Sequence, residues 1–312
     1  MVYVCGFVVI LFLILFFLKF KRARKVLISV ILPPVDLEVV KQGEIKVLTY
    51  NVAGLPQRIS AARTPRRVSM GAIGKLLNAY DIVNLQEDFN YNSFLVFTAL
   101  HPYKTSHKGK VPFGDGLSTL SKFPIVEYQR ITWKSCHGSD CLTPKGFTYV
   151  QIQLASHVFL DVYNVHATAH DSIRSAAARR QNLDQLAQYI HNHSLERPLL
   201  VMGDFNAHYA NGLDNISDFL QKTSLADVWV DLVNDGKFPA IDPQFVARDM
   251  LSLTNQTESL DKVLYRNSTH LKLTPACYDI SSEAFRDENN LPLSDHLAVA
   301  VSLKWEWLGE ED

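Results

Sequence analysis

Several apolar runs in this 312-residue chain stop abruptly at an acid, an amide or an imidazole, and that pattern constrains the fold most. Pro198-Leu199-Leu200-Val201-Met202 runs into Gly203-Asp204-Phe205-Asn206, and Ser294-Asp295-His296 opens the run from Leu297 to Leu303. Short uninterrupted apolar runs read as buried strands. A strand interior cannot host an unpaired carboxylate, because burying that charge costs too much. These polar residues are therefore expected at strand ends, converging on one rim.

The remaining periodicity supplies the layers. Strands are expected at Ile45–Val52, Asp81–Glu87, Gly116–Ser121, Leu199–Met202, Leu260–Tyr265 and Leu297–Leu303. Gly146–Leu154 and Val158–His166 alternate apolar and polar residues at period two, the mark of paired strands. Helical spacing covers Val68–Ala79 and Ile173–His191, with a shorter helix at Ser93–Leu100. Strands that arrive mostly as hairpins, with helices between some of them, predict an α/β fold. The expected architecture is a four-layer sandwich of two mixed, mainly antiparallel sheets flanked by helices. There is no Gly-x-Gly-x-x-Gly and no Walker loop, which argues against nucleotide-cofactor folds.

The sequence divides into an apolar anchor with a basic flank (1–25), a linker (26–43), a folded domain (44–305) and an acidic tail (306–312). Val2 to Leu18 is uncharged and apolar, at the short end of what spans a bilayer. Lys19, Lys21, Arg22, Arg24 and Lys25 follow it, the reverse of the charge order in a cleavable signal, so a retained single-pass membrane anchor is expected. The positive-inside rule puts the basic flank, and the domain after it, in the cytosol. Asn-x-Ser/Thr sequons at Asn192, Asn215, Asn255 and Asn267 point instead to a lumenal or external side. So would a disulfide between Cys136 and Cys141, the one pair among the 4 cysteines close enough in sequence to close a small loop. The side of the membrane stays open.

With 31 basic and 32 acidic residues, no overall field favours nucleic acid, although a bound metal can supply positive charge locally. The polar strand ends are Asn51, Glu87, His166, Asp204, Asn206, Asp261, Asp295 and His296. Such a set suits metal-assisted cleavage of a phosphate ester. A hard cation takes carboxylate or amide oxygens, the role of Glu87 and Asn51, with Mg²⁺ expected and Mn²⁺ as its substitute. Activating water requires a base that titrates near neutrality, which points to His296 with Asp261 orienting it. His166 would protonate or steady the leaving oxygen. Asp204 and Asn206 would position water and a phosphoryl oxygen.

The ordered set Thr49-Tyr50-Asn51-Val52, Gln86-Glu87, Asn164-Val165-His166, Gly203-Asp204-Phe205-Asn206, Leu260-Asp261-Lys262-Val263 and Ser294-Asp295-His296 resembles the endonuclease/exonuclease/phosphatase superfamily. The resemblance implies a deoxyribonuclease-like sandwich over about residues 44–305, Mg²⁺ at Glu87 with Asn51 nearby, base His296, supporting acid Asp261 and second histidine His166. Asn51-Val52-Ala53-Gly54-Leu55-Pro56 and Lys145-Gly146-Phe147 look most like the neutral sphingomyelinase branch, where Lys145 would contact the substrate phosphate. Ala167-Thr168-Ala169-His170 departs from that branch, and no aromatic hairpin for membrane insertion is evident beyond Trp133 and Phe113. The function expected is a Mg²⁺-dependent phosphodiesterase, a sphingomyelinase-like phospholipase C with a phospholipid or sphingolipid substrate. Alternatives are a nuclease on the same scaffold, an inositol-phosphate phosphatase, or an inactive lipid-binding module. No obligatory protein partner is implied.

Overall fold

The computed structural model describes residues 2–25, 28–281 and 283–309. Helix α1 (Val2–Lys25) leads into strands β1 (Ile28–Ile31) and β2 (Gln42–Asn51), helix α2 (Arg66–Leu76), β3 (Ile82–Gln86) and α3 (Asn92–Thr98). Strands β4 (Tyr103–Lys104), β5 (Ser118–Ser121), β6 (Ile125–Thr132), β7 (Gly146–Ala155) and β8 (Val158–His166) follow. After α4 (Ile173–His193) come β9 (Leu199–Asp204), α5 (Ile216–Thr223), β10 (Ala226–Asp227) and α6 (Val228–Leu232). The chain closes with β11 (Asp261–Arg266), β12 (Leu271–Ile280) and β13 (Val299–Trp307).

These strands form two mixed sheets, one ordered β1-β6-β7-β8-β9-β11-β10 and the other β12-β13-β2-β3-β5-β4. Period-two alternation along β2 explains how they stack. Ile45 and Val47 belong to the core shared by the sheets, while Leu48 and Tyr50 join Met70 and Ile73 of α2 and Leu95 of α3. On the other outer face, Leu183, Leu186 and Ile190 of α4 and Phe219 of α5 cover the seven-stranded sheet. Helix, sheet, sheet, helix is the expected four-layer order.

Local chemistry fixes the ends. Ser172 caps α4 by accepting a hydrogen bond from Ser175 N at 3.1 Å. At Gly203 in β9, φ is +154° and a Cβ would lie 2.0 Å from the Val165 carbonyl, so only glycine lets β9 approach β8 there. The sheets are also joined by side chains. Gln86 Nε2 donates to Asn164 Oδ1 at 2.7 Å and to Thr49 Oγ1 at 3.1 Å, and Asn84 Nδ2 donates to the Tyr163 carbonyl at 2.9 Å. Asn164 Nδ2 donates in turn to the Leu85 and Ser118 carbonyls, each at 3.0 Å. This seam satisfies buried polar groups and holds β2, β3 and β5 of one sheet against β8 of the other.

The N-terminus requires a correction. Among the described residues, no helix is long and apolar enough to cross a membrane, so the span expected over Val2–Leu18 is not upheld. The apolar residues of α1 from Val9 to Leu18 are nevertheless all exposed. Phe12 is 66% exposed, and Phe16 packs on Phe113 with ring centroids 5.5 Å apart. Residues 26–27 of the expected linker and 310–312 of the acidic tail lie outside the described residues. Within that linker segment, Ile28–Ile31 pairs with β6 as an edge strand.

One buried charge pair predicts an acid-sensitive step. Glu258 bonds Lys262 Nζ at 2.8 Å in a site where both side chains are nearly inaccessible. Burial alone would raise its pKa, but the Lys262 ammonium and His208 lower it to about 2. A depressed pKa stabilises the fold above the usual carboxylate range, and that contribution is lost as pH falls toward 2. Glu258→Gln is expected to destabilise the protein by roughly 3 kcal/mol at pH 7, the cost of orphaning Lys262. Urea unfolding should show the gap between the proteins narrowing below about pH 4. An equal gap at pH 7 and pH 3 would refute the assignment.

Candidate active site

The strand-end residues meet at one rim, across the gap between the two sheets. Asn51 ends β2 and Glu87 follows β3 in one sheet, while His166 ends β8, Asp204 ends β9 and Asp261 begins β11 in the other. Asp204 and Asp261 are paired directly across β9 and β11, and His166 is paired with Asp204 across β8 and β9. His296 and Asp295 arrive on the segment before β13, held when Ser294 Oγ donates to the Asn51 carbonyl at 2.6 Å.

Asp204 is the hub. Its Oδ2 accepts from Asn51 Nδ2 at 3.1 Å and lies 3.5 Å from His166 Nε2 and 3.9 Å from His296 Nε2. Its Oδ1 accepts from the backbone N–H of Asn206 at 2.9 Å, with Asn206 in the left-handed region at φ +50°. Burial would raise the Asp204 pKa, but His296, His166 and Lys145 hold it below the usual range. Asn206 Nδ2 donates to the Ala167 carbonyl at 3.2 Å, which ties the two strand ends together.

Asp261 and His296 form a tight pair, with Nδ1 and Oδ2 2.8 Å apart. Burial pushes the Asp261 carboxyl up. Burial would also favour neutral imidazole, but Asp261, Asp204 and Asp295 outweigh it and hold the His296 proton well above the usual histidine range. With Nδ1 committed to Asp261, Nε2 is the atom left facing the rim, and the side chain is 13% exposed. An imidazole oriented by a buried acid serves as a proton acceptor once nearby positive charge offsets the carboxylates that hold its proton.

His166 differs from His296 in every respect. It is buried, its carbonyl accepts from Trp133 Nε1 at 2.7 Å, and its Nδ1 has no hydrogen-bond partner. Burial first, and then the Lys145 ammonium 3.1 Å from Nε2, lower its pKa to about 3. It is therefore a neutral imidazole at physiological pH. Lys145 stands just before β7, and its Nζ also pairs with Asp140 Oδ1 at 2.9 Å. Asp140 Oδ2 accepts from Ala169 N at 2.6 Å, and Lys145 holds its carboxyl below the usual range despite burial. The Cys136–Cys141 disulfide is formed and encloses Asp140 in its loop.

Glu87 carries no hydrogen bond from any described side chain, sits at φ +57°, and is pushed up to about 6 by burial. Together with Asp204, Asp261 and Asp295 it gives the rim more carboxylates than Lys145 and His296 balance. That donor set suits a hard divalent cation. The tightest group of possible ligand atoms is Asp204, Asp261 and His296, all within 4.8 Å of one another. In that group Asp261 and His296 are already hydrogen-bonded to each other through Oδ2 and Nδ1. Glu87 is the carboxylate with oxygens to spare, and Asn51 Oδ1 beside it accepts only from Ala53 N at 3.1 Å.

All nine expected residues thus fall on or beside one rim. Asp295 is weakly engaged: its Oδ1 accepts from Ser294 Oγ at 3.3 Å. Three contributors escape the sequence pattern. Asp140 could have been flagged as an acid between two cysteines, five residues before Lys145. Trp133 reads in sequence as a surface aromatic, yet it is buried and clamps His166. Asn164 reads as part of a motif, but its side chain serves the seam.

The model of the endonuclease/exonuclease/phosphatase family matches residues 48–296. A sphingomyelinase of Mycobacterium tuberculosis is 37% identical over 270 residues, which covers 84% of this chain and 53% of the relative. A sphingomyelinase C of Bacillus cereus is 28% identical over 200 residues, 55% of this chain and 59% of the relative. The chain spans about half the length of the curated mycobacterial relatives it matches. Among solved structures, a mutant beta toxin of Staphylococcus aureus with bound magnesium ions superposes with a TM-score of 0.59 at 18% identity, covering 83% of this chain and 99% of the toxin. A D. rerio TDP2 in complex with a single-strand DNA product gives 0.61 at 15% identity, covering 83% and 98%. At such identities these two likenesses concern the fold. The chain belongs to the endonuclease/exonuclease/phosphatase family.

Proposed function

We propose that this chain is a Mg²⁺-dependent phosphodiesterase that cleaves the headgroup ester of a membrane lipid as a sphingomyelinase-like phospholipase C. The observation that carries the reaction class is the Asp261–His296 pair beside Asp204, at 2.8 Å and 3.9 Å. Water enters between His296 Nε2 and Asp204, gives its proton to Nε2, and attacks phosphorus opposite the leaving oxygen. Asp261 keeps the imidazole aimed by accepting from Nδ1. Lys145 and neutral His166 also stand beside Asp204, where the Lys145 ammonium, 3.1 Å from His166 Nε2, holds a phosphoryl or leaving oxygen. Glu87 and Asn51 would hold a divalent cation, which would supply positive charge to the phosphoryl oxygens and offset the carboxylate field around His296.

The lipid substrate is supported by the 37% identity with sphingomyelinases and by α1, whose exposed Val9–Leu18 run is followed by Lys19, Lys21 and Arg22. An apolar stretch with a basic flank binds the interface of an anionic membrane. The nucleic-acid alternative has the TDP2 likeness behind it, at 15% identity.

Incubating the full chain with Mg²⁺, sphingomyelin vesicles and plasmid DNA in parallel separates the readings. Phosphocholine release with intact plasmid is expected. Nicked DNA with untouched lipid would reject the lipid reading, and loss of neither substrate would reject the enzyme.

A further inference from the structure

We propose that the protein carries N-linked glycans at Asn192 and Asn267, at the end of the sandwich opposite the catalytic rim, and none at Asn215 or Asn255. The four sequons are equivalent in sequence, and the fold separates them into two pairs.

Asn192 lies exposed in the last turn of α4, and Asn267 is exposed directly after β11. Each uses its side-chain oxygen alone: Asn192 Oδ1 accepts from Gln188 at 3.1 Å, and Asn267 Oδ1 accepts from Leu273 N at 2.7 Å. A glycosylated asparagine keeps that oxygen, so both bonds survive modification. Both nitrogens are left for the sugar.

The other pair is committed to the fold. Asn255 Oδ1 accepts from Ile280 N at 2.6 Å, its Nδ2 donates to Asp279 at 3.3 Å, and its carbonyl accepts from Trp229 Nε1 at 3.0 Å. Asn215 sits half-buried at the start of α5 with Oδ1 enclosed and unpartnered. A branched sugar on the Asn255 nitrogen would break its bond to Asp279, and one at Asn215 would have to clear the groups that enclose Oδ1 on the same amide.

Topology adds an independent argument. Strand β9 runs from Leu199 to Asp204, about 17 Å at the usual rise per residue. Asn267 follows Arg266, which pairs with Leu199, and Asn192 ends the helix that precedes Leu199. Both accessible sequons therefore lie at the end away from Asp204. Asn255 is bonded to Ile280, which pairs with Val299 just after His296, and Asn215 closes the segment leaving Asn206. Both committed sequons lie at the catalytic end. The Cys136–Cys141 disulfide points to the oxidising compartment where such transfer occurs. In the transfer, Asn Nδ2 bonds the anomeric carbon of a lipid-diphosphate-linked oligosaccharide as the carbon–oxygen bond to diphosphate breaks. The lipid diphosphate and one proton leave.

The test is expression of the full chain in eukaryotic cells, peptide N-glycosidase digestion, and mass mapping of the sites by ¹⁸O-labelled deamidation. Two steps of mobility shift are expected, one lost in Asn192→Gln, one in Asn267→Gln and both in the double variant. Mapping on the unsubstituted protein guards against variants that fail to fold. No shift in the unsubstituted chain, a shift that survives in the double variant, or label at Asn215 or Asn255 would overturn the proposal. Two glycans would also place the domain outside the cytosol, against the side implied by Lys19–Lys25.

Discussion

Replacement of His296 by alanine is expected to lower turnover of a soluble phosphodiester by about 10³-fold or more, the upper part of what a general base contributes. Among the described residues at the rim, no second group offers a free imidazole nitrogen backed by a buried acid: the other histidine, His166, is held neutral beside an ammonium. The side chain is only 13% exposed and its loss orphans the buried Asp261 carboxylate, so urea unfolding should show a destabilisation of about 3 kcal/mol, and rates are to be compared where the variant is folded. A folded variant that keeps a tenth of the rate would remove His296 from proton transfer.

Asp261→Asn is the second large effect. Asparagine is the same size but can present its amide N–H to Nδ1, which favours the wrong tautomer and leaves Nε2 protonated. A loss of about 10²- to 10⁴-fold in kcat is expected, with KM nearly unchanged, because the interaction acts on the base rather than on bound substrate. Mg²⁺ binding, read by titration calorimetry, should persist if Glu87 and Asn51 hold the cation. If instead Asp261 is a ligand in the Asp204–Asp261–His296 cluster, cation affinity will fall together with rate. A normal rate would remove Asp261 from the site altogether.

Much of this was legible in the sequence, and the reasons are physical. Strands β7, β8, β9 and β13 are apolar on at least one face for their whole length, so their pattern survives in one dimension. Strand β6 is different: its inward positions include Arg130, paired with Asp115 at 2.6 Å, and a buried cation breaks the apolar alternation. Strand β12 contains Pro275, which argues against a central strand, and β12 is indeed an edge strand with a bulge there. The site followed the same logic. Residues at strand ends could be listed from the sequence, because polarity after an apolar run is a local signal. What pairs with what could not. The contacts of Asp140 with Lys145 and of Trp133 with His166 depend on how loops close over the rim.

The seam of Gln86, Asn84 and Asn164 has a consequence for how the site tolerates change. Asn51 and Glu87 ride on one sheet, His166, Asp204 and Asp261 on the other, and apolar packing alone resists sliding between sheets only weakly because it is non-directional. Directional bonds across the gap act as a shear pin, fixing one half of the reaction centre relative to the other. The surrounding loops are thereby relieved of that duty. They can diverge toward a new headgroup or a new polymer while the distance between the two halves stays constant.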